Sequence, residues 1–114
     1  MPHAIIHLGV EVTPQVKSEI LAEAQKILAK NFGKPIGYCM SSVETKAMAF
    51  GGQEGNCAFV DVRLFGATNG SKNNGVAKDF SSLISKKTGI PAERVYSTYT
   101  AFAGGHWGMG ESTF

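Results

Sequence analysis

The sequence predicts an α/β (α+β) fold in which two βαβ units build one four-stranded mixed sheet with two helices on one face. Three observations predict it. Two amphipathic stretches of helical period are each flanked by β-branched and aromatic runs of strand period. The 114-residue length suits one hydrophobic core and is too short for two. The phrases LAKNFGKPIGYCM (28–40) and ISKKTGIPAERVY (84–96) each run from a helix end through Gly-x-Pro into a strand, marking a pseudo-repeat with halves of about 2–57 and 58–114 in a single domain, 1–114.

From His3 to Val12 the residues alternate loosely, with Ala4, Ile6 and Leu8 on one face and His3, Ile5 and His7 on the other, which is a first strand. Thr13 followed by Pro14 starts a helix, because a hydroxyl can cap orphan amides and proline at the first helical position loses no needed bond. Val16, Ile20, Ala24, Ile27 and Leu28 form its apolar stripe; Gly33 offers a left-handed cap, with Pro35 shortly beyond. Tyr38 to Val43 reads as a second strand, and the glycines of AFGGQEG (49–55) mark turns after it. CAFVDVRLFG (57–66) is a third strand, with Phe59 facing away from Val60 and Val62. NGSKNNG (69–75) is loop or helix-start chemistry, after which Val76, Phe80, Leu83 and Ile84 mark a second helix that Gly89 ends. VYSTYTAF (95–102) is the fourth strand, and a glycine-rich tail follows.

Helices cover only one face of such a sheet. Phe59, Val60, Val62, Leu64 and Phe65 place apolar side chains on both, so the uncovered face is expected to meet other subunits in a closed oligomer.

Composition excludes several function classes. The net charge is only +2 and the Lys and Arg residues are scattered apart from Lys86 and Lys87, so no nucleic-acid surface is expected. No apolar run approaches the roughly 20 residues that span a bilayer, and the N-terminus lacks the parts of a secretory signal; no membrane insertion and a cytoplasmic location are expected. Cys39 and Cys57 form neither a disulfide framework nor a metal-ligand spacing and read as buried free thiols. His3 and His7 share a strand face without a Cys or carboxylate cluster, so neither metal nor cofactor is expected.

The second residue raises a different chemistry. Methionine removal is favoured before a small residue or proline, which would leave Pro2 with a free secondary amine that no internal residue can supply. The plainer alternative is that Pro2 starts a strand, where its missing N–H costs nothing.

Pro2, GKP after the first helix, MAFGG (48–52), RVY (94–96) and STF (112–114), in this order and spacing across the whole chain, resemble the macrophage migration inhibitory factor family of the tautomerase superfamily. The resemblance implies a homotrimer whose sheets line a central barrel, with the active site at a subunit boundary. It implies keto-enol tautomerisation of phenylpyruvate- or dopachrome-type substrates, with Pro2 as the catalytic base and Lys34 facing the substrate carboxylate and lowering the proline pKa. An α-amino group, with an ordinary pKa near 8, needs only modest burial and a nearby cation to be neutral at pH 7. Lys34 alone could equally be a helix C-terminal lysine that offsets the dipole.

The resemblance further implies an apolar substrate pocket lined by His3, Leu64, Phe65, Tyr96, Thr98, Trp107 and Phe114, with Tyr96 reaching in from a neighbouring subunit. Taken alone, Tyr96 and Phe114 could be plain core or tail packing. Departures fall on this pocket: Phe65 stands where isoleucine is frequent, Thr98 where asparagine is familiar and His3 where methionine is, while Met109 occupies a usual tryptophan position. Val60 replaces the second cysteine of a family CxxC motif that begins at Cys57, which removes support for thiol-disulfide chemistry. The runner-up function is a signalling ligand for a cell-surface receptor, leaving cells without a signal peptide and carrying a vestigial enzyme site. A ferredoxin-like interaction module is the third.

Overall fold

A computed structural model describes residues 1–114. The alternation of PHAIIHL becomes β1 (Pro2–Leu8), with Pro2, Ala4, Ile6 and Leu8 buried and His3, Ile5 and His7 partly exposed on the other face. The chain then forms α1 (Pro14–Phe32), capped by the Thr13 hydroxyl accepting from the Val16 N–H at 3.2 Å and closed by Gly33 at φ 63°. Pro35 cannot extend a helix and introduces a single 3₁₀ turn, Ile36–Tyr38, so β2 (Met40–Thr45) begins two residues later than the apolar run suggests. A short hairpin of β3 (Ala49–Phe50) and β4 (Gln53–Glu54) follows, then β5 (Ala58–Phe65).

The second half repeats the first. NGSKNNG, which offers loop or helix-start chemistry, is a helix start: α2 (Gly70–Thr88) begins there because the Asn69 side chain caps the Lys72 N–H at 2.9 Å and so tolerates a glycine-containing first turn. Gly89 closes it at φ 81°, Pro91 introduces the 3₁₀ turn Ala92–Arg94, and β6 (Val95–Phe102) occupies the stretch expected for it. The tail folds into a hairpin of β7 (Gly108–Met109) and β8 (Ser112–Thr113).

The sheet order is β2-β1-β5-β6, with β1 parallel to β2, β5 parallel to β6 and the central β1–β5 pair antiparallel. Both helices pack on one face. Ile6, Leu8, Val60, Val62 and Leu64 meet Ile20, Leu28, Val76, Phe80 and Ile84 there in one core, each large side chain contributing about 1.5–3 kcal/mol by leaving water. The helices touch closely where Gly75 leaves room for Asn31, whose amide donates to Asp79 at 2.9 Å.

The uncovered face differs from expectation in its middle. Phe59 and Tyr96 lie at one end and Phe65 and Phe102 at the other, as adjacent pairs on β5 and β6. Between them sit the ion pair Arg63–Asp61 at 3.0 Å, Thr98 donating to Asp61 at 3.3 Å, and His3 beside Ser42 at 3.3 Å. Val60, Val62 and Leu64 belong to the helix-facing core while Phe59 and Phe65 lie on the uncovered face, the division that strand period two requires.

Candidate active site

Parallel pairing of β1 with β2 sets His3 opposite Met40, which brings the start of the chain beside the 3₁₀ turn that follows α1. The tail hairpin folds over the same corner: the Phe114 N–H donates to the Trp107 carbonyl at 2.8 Å, and the Phe65 and Phe114 rings lie 5.6 Å apart. A cavity of about 340 Å³ remains between these pieces, bordered by Pro2, His3, Tyr38, Cys39, Met40, Trp107 and Met109, with Met1 at its rim. Pro2 itself is fully buried. A larger open depression of about 550 Å³, bordered by Gly9, Ala47, Met48, Ala49, Glu54 and Gly55, offers one carboxylate and no amine, imidazole or cation.

Electrostatics at this corner disfavour the charged form of the terminal amine. The Met1 terminal amine is held below its ordinary pKa, first by burial and then by the Lys34 charge, with Cys39 acting weakly in the opposite sense. Lys34 follows the Gly33 cap, is half-buried, and has its backbone tied to the Ala29 carbonyl at 3.1 Å, so helix closure aims its charge at the chain start. Burial and the Arg63 charge lower the His3 pKa against the pull of Asp61, which favours a neutral imidazole. Burial raises the Cys39 pKa, leaving a thiol whose Sγ donates to the Pro35 carbonyl at 3.6 Å.

The fold brings only part of the expected pocket together within one subunit. Pro2, His3 and Trp107 border the cavity; Phe65 and Phe114 form the aromatic pair next to it. Leu64 lies beside Pro2 in register but is 1% exposed and belongs to the core. Tyr96 and Thr98 are elsewhere: Pro2 pairs with Leu64 while Tyr96 pairs with Phe59. That places Tyr96 roughly 16 Å away along the strands and two strand spacings of about 4.8 Å across, beyond the reach of a side chain. Sequence reading missed Tyr38, Cys39 and Met40, whose signal was their place directly after the GKP turn that positions Lys34.

A family model described as macrophage migration inhibitory factor (MIF) matches residues 1–114. The chain belongs to the macrophage migration inhibitory factor family. It is 32% identical over 100 residues to the MIF of Xenopus laevis, covering 87% of each chain. It is 30% identical over 117 residues to the MIF homolog of Brugia malayi, covering 100% of this chain and 99% of the other. The crystal structure of the MIF-like protein from Entamoeba histolytica superimposes with a TM-score of 0.95 at 37% identity, covering 99% of this chain and 98% of that one. The two-helix, four-stranded mixed sheet is thus the MIF tautomerase fold, and no helix of this MIF-family chain is long and apolar enough to cross a membrane.

Proposed function

We propose that this MIF-family protein is a cofactor-independent keto-enol tautomerase of aromatic α-keto acids such as phenylpyruvate, working as a homotrimer with the Pro2 amine as its base once Met1 is removed. The observation that carries this reading is the fully buried Pro2 at a cavity whose burial and Lys34 charge already depress the pKa of an amine one residue further out. A secondary amine deeper in the same corner is subject to the same two influences, both of which favour its neutral form, and in that form it can take a proton from the carbon next to the keto group.

Electron density released by that step moves onto the keto oxygen, and the proton carried by Pro2 is then returned to oxygen, completing enolisation without a net change of charge. Lys34 supplies the positive charge that holds the substrate carboxylate and the developing enolate. A second donor arises from processing. The Phe65 N–H donates to the Met1 carbonyl at 3.2 Å, and loss of Met1 leaves this N–H facing the substrate with its acceptor gone. Trp107, Tyr38 and Met40 supply an apolar wall for an aromatic ring.

The distance between Pro2 and Tyr96 supports an oligomeric site. Tyr96 is 65% exposed at the far end of the uncovered face, where it can enter a neighbour's Pro2 cavity but not its own. Head-to-tail contacts of this kind form a ring when the rotation between neighbours closes, as it does in a trimer.

The deciding experiment is phenylpyruvate tautomerisation by protein whose mass confirms loss of Met1, alongside Pro2→Gly. Turnover that falls about 10²-fold or more in the variant, with unchanged oligomeric state, supports the amine as base. Equal turnover in the two proteins rejects it, and no turnover in a correctly processed trimer moves the reading to a receptor-binding ligand.

A further inference from the structure

Two motifs of the sequence contribute no group to the Pro2 cavity: MAFGG (48–52) and RVY (94–96). The fold joins them. The Phe50 and Tyr96 rings lie 4.8 Å apart at a tilt of 57°, and the Arg94 guanidinium sits 5.0 Å over the Phe50 ring. The same guanidinium donates from Nε to the Asn56 carbonyl at 2.7 Å, and from one terminal nitrogen to the carbonyls of Gly55 at 3.1 Å and Gln53 at 3.4 Å. One side chain therefore fastens the end of the β3–β4 hairpin and clamps the ring that Tyr96 leans on. We propose that Arg94 is a positioning residue: through Phe50 it fixes the Tyr96 ring that completes the aromatic-substrate pocket of the neighbouring subunit. This rests on the tautomerase reading for its substrate class and on the trimer for its geometry.

Three features assign this task to Arg94 rather than to ordinary loop packing. The hairpin it fastens needs fastening: Gly51, Gly52 and Gly55 have positive φ, as does Asn56 at φ 52°, so the loop has little intrinsic preference for one path. A planar guanidinium can serve three carbonyls on its edge while offering its face to an aromatic ring, which an ammonium cannot do. Tyr96 is largely exposed beside an open apolar cavity of about 350 Å³, and the Phe50 ring is the aromatic ring packed against it within the subunit. A free Tyr96 would lose side-chain entropy each time it closed on substrate; a clamped one has already lost it.

The effect expected is on binding, because Arg94 touches no reacting atom. In Met1-free trimer, Arg94→Gln should raise KM for phenylpyruvate about tenfold with kcat within about twofold, and Arg94→Lys should stay impaired because it keeps charge without the fork. The double variant Arg94→Gln/Tyr96→Ala should bind no worse than Tyr96→Ala alone, since both changes remove one device. Binding is read independently of turnover from quenching of Trp107, the single tryptophan and a wall of the cavity. A wild type that binds phenylpyruvate without turning it over, with the Arg94 variants binding more weakly, rejects the tautomerase reading and upholds the positioning role. Arg94 variants that lose thermal stability yet keep the wild-type dissociation constant overturn the role, as do additive losses in the double variant. A wild type that does not bind phenylpyruvate at all overturns both.

Discussion

The two halves of the chain are nearly the same object used for different ends. α1 and α2 are each 19 residues long, each is closed by a left-handed glycine, and each runs through a proline at φ near −60° into a 3₁₀ turn and a strand. Aligned on those prolines, Lys34 corresponds to Ile90, Tyr38 to Arg94 and Met40 to Tyr96. Ile90 is fully buried and seals the core under the second turn, whereas Lys34 stays half in solvent and sends its charge toward the chain start. The backbone frame is shared, and the residue after the helix cap decides whether a half ends in core packing or in a charge directed at the chain start.

The sharpest way to break this correspondence is to move the lysine. Ile90→Lys should cost about 4 kcal/mol or more and lower Tm by on the order of 15 °C, because a charge enters a site with no partner; calorimetry checks it, and a small shift would show the second turn to be looser than its burial implies. The reciprocal Lys34→Ile should leave stability within about 0.5 kcal/mol yet reduce kcat/KM for phenylpyruvate about tenfold. Its pH profile carries the sign. The Lys34 cation disfavours protonation of the terminal amine, so the wild-type rate should rise with pH through a pKa below the ordinary amine value, and Lys34→Ile should move that rise to higher pH.

Smaller effects test how far the helix starts are equivalent. Thr13 is followed by Pro14, already fixed in helical φ, whereas Asn69 is followed by Gly70. Asn69→Ala should therefore cost about 1–2 kcal/mol and Thr13→Ala about 0.5–1 kcal/mol in denaturant unfolding. The smallest effect belongs to the contact between halves. Asn31 and Lys30 hold the Asp79 carboxyl below its usual pKa, so the stability it contributes is present above the ordinary aspartate range and lost as pH falls through the folded value. The Tm difference between wild type and Asp79→Ala should narrow along that same fall.

Local chemistry made most of this frame legible. Thr13-Pro14, Gly33, Gly89 and the alternation of residues 95–102 act over a few residues, and the elements begin or end there. The second strand begins later than its pattern predicts because Tyr38 and Cys39 look like strand residues, while Pro35 commits the backbone to a turn first. The polar middle of the uncovered face was legible in HAIIH and DVR only once the register was known, since Asp61 and Arg63 become neighbours of His3 and Thr98 through pairing across strands. The cavity itself depends on a tail hairpin returning to the first strand. Its walls at Tyr38, Cys39 and Met40 carry no periodic signal, because they come from chain segments whose meeting is a long-range event.

The band of charge across that uncovered face also limits how one copy of the chain can meet another. A flat, bare sheet face is an invitation to stack on any other sheet. Here two such faces pressed together would strip water from the Asp61–Arg63 pair and from His3 without giving them new partners, so indiscriminate stacking is unfavourable. An arrangement that buries the aromatic ends and leaves the centre wet satisfies both parts of the face, so the polar centre favours one mode of association over indiscriminate stacking.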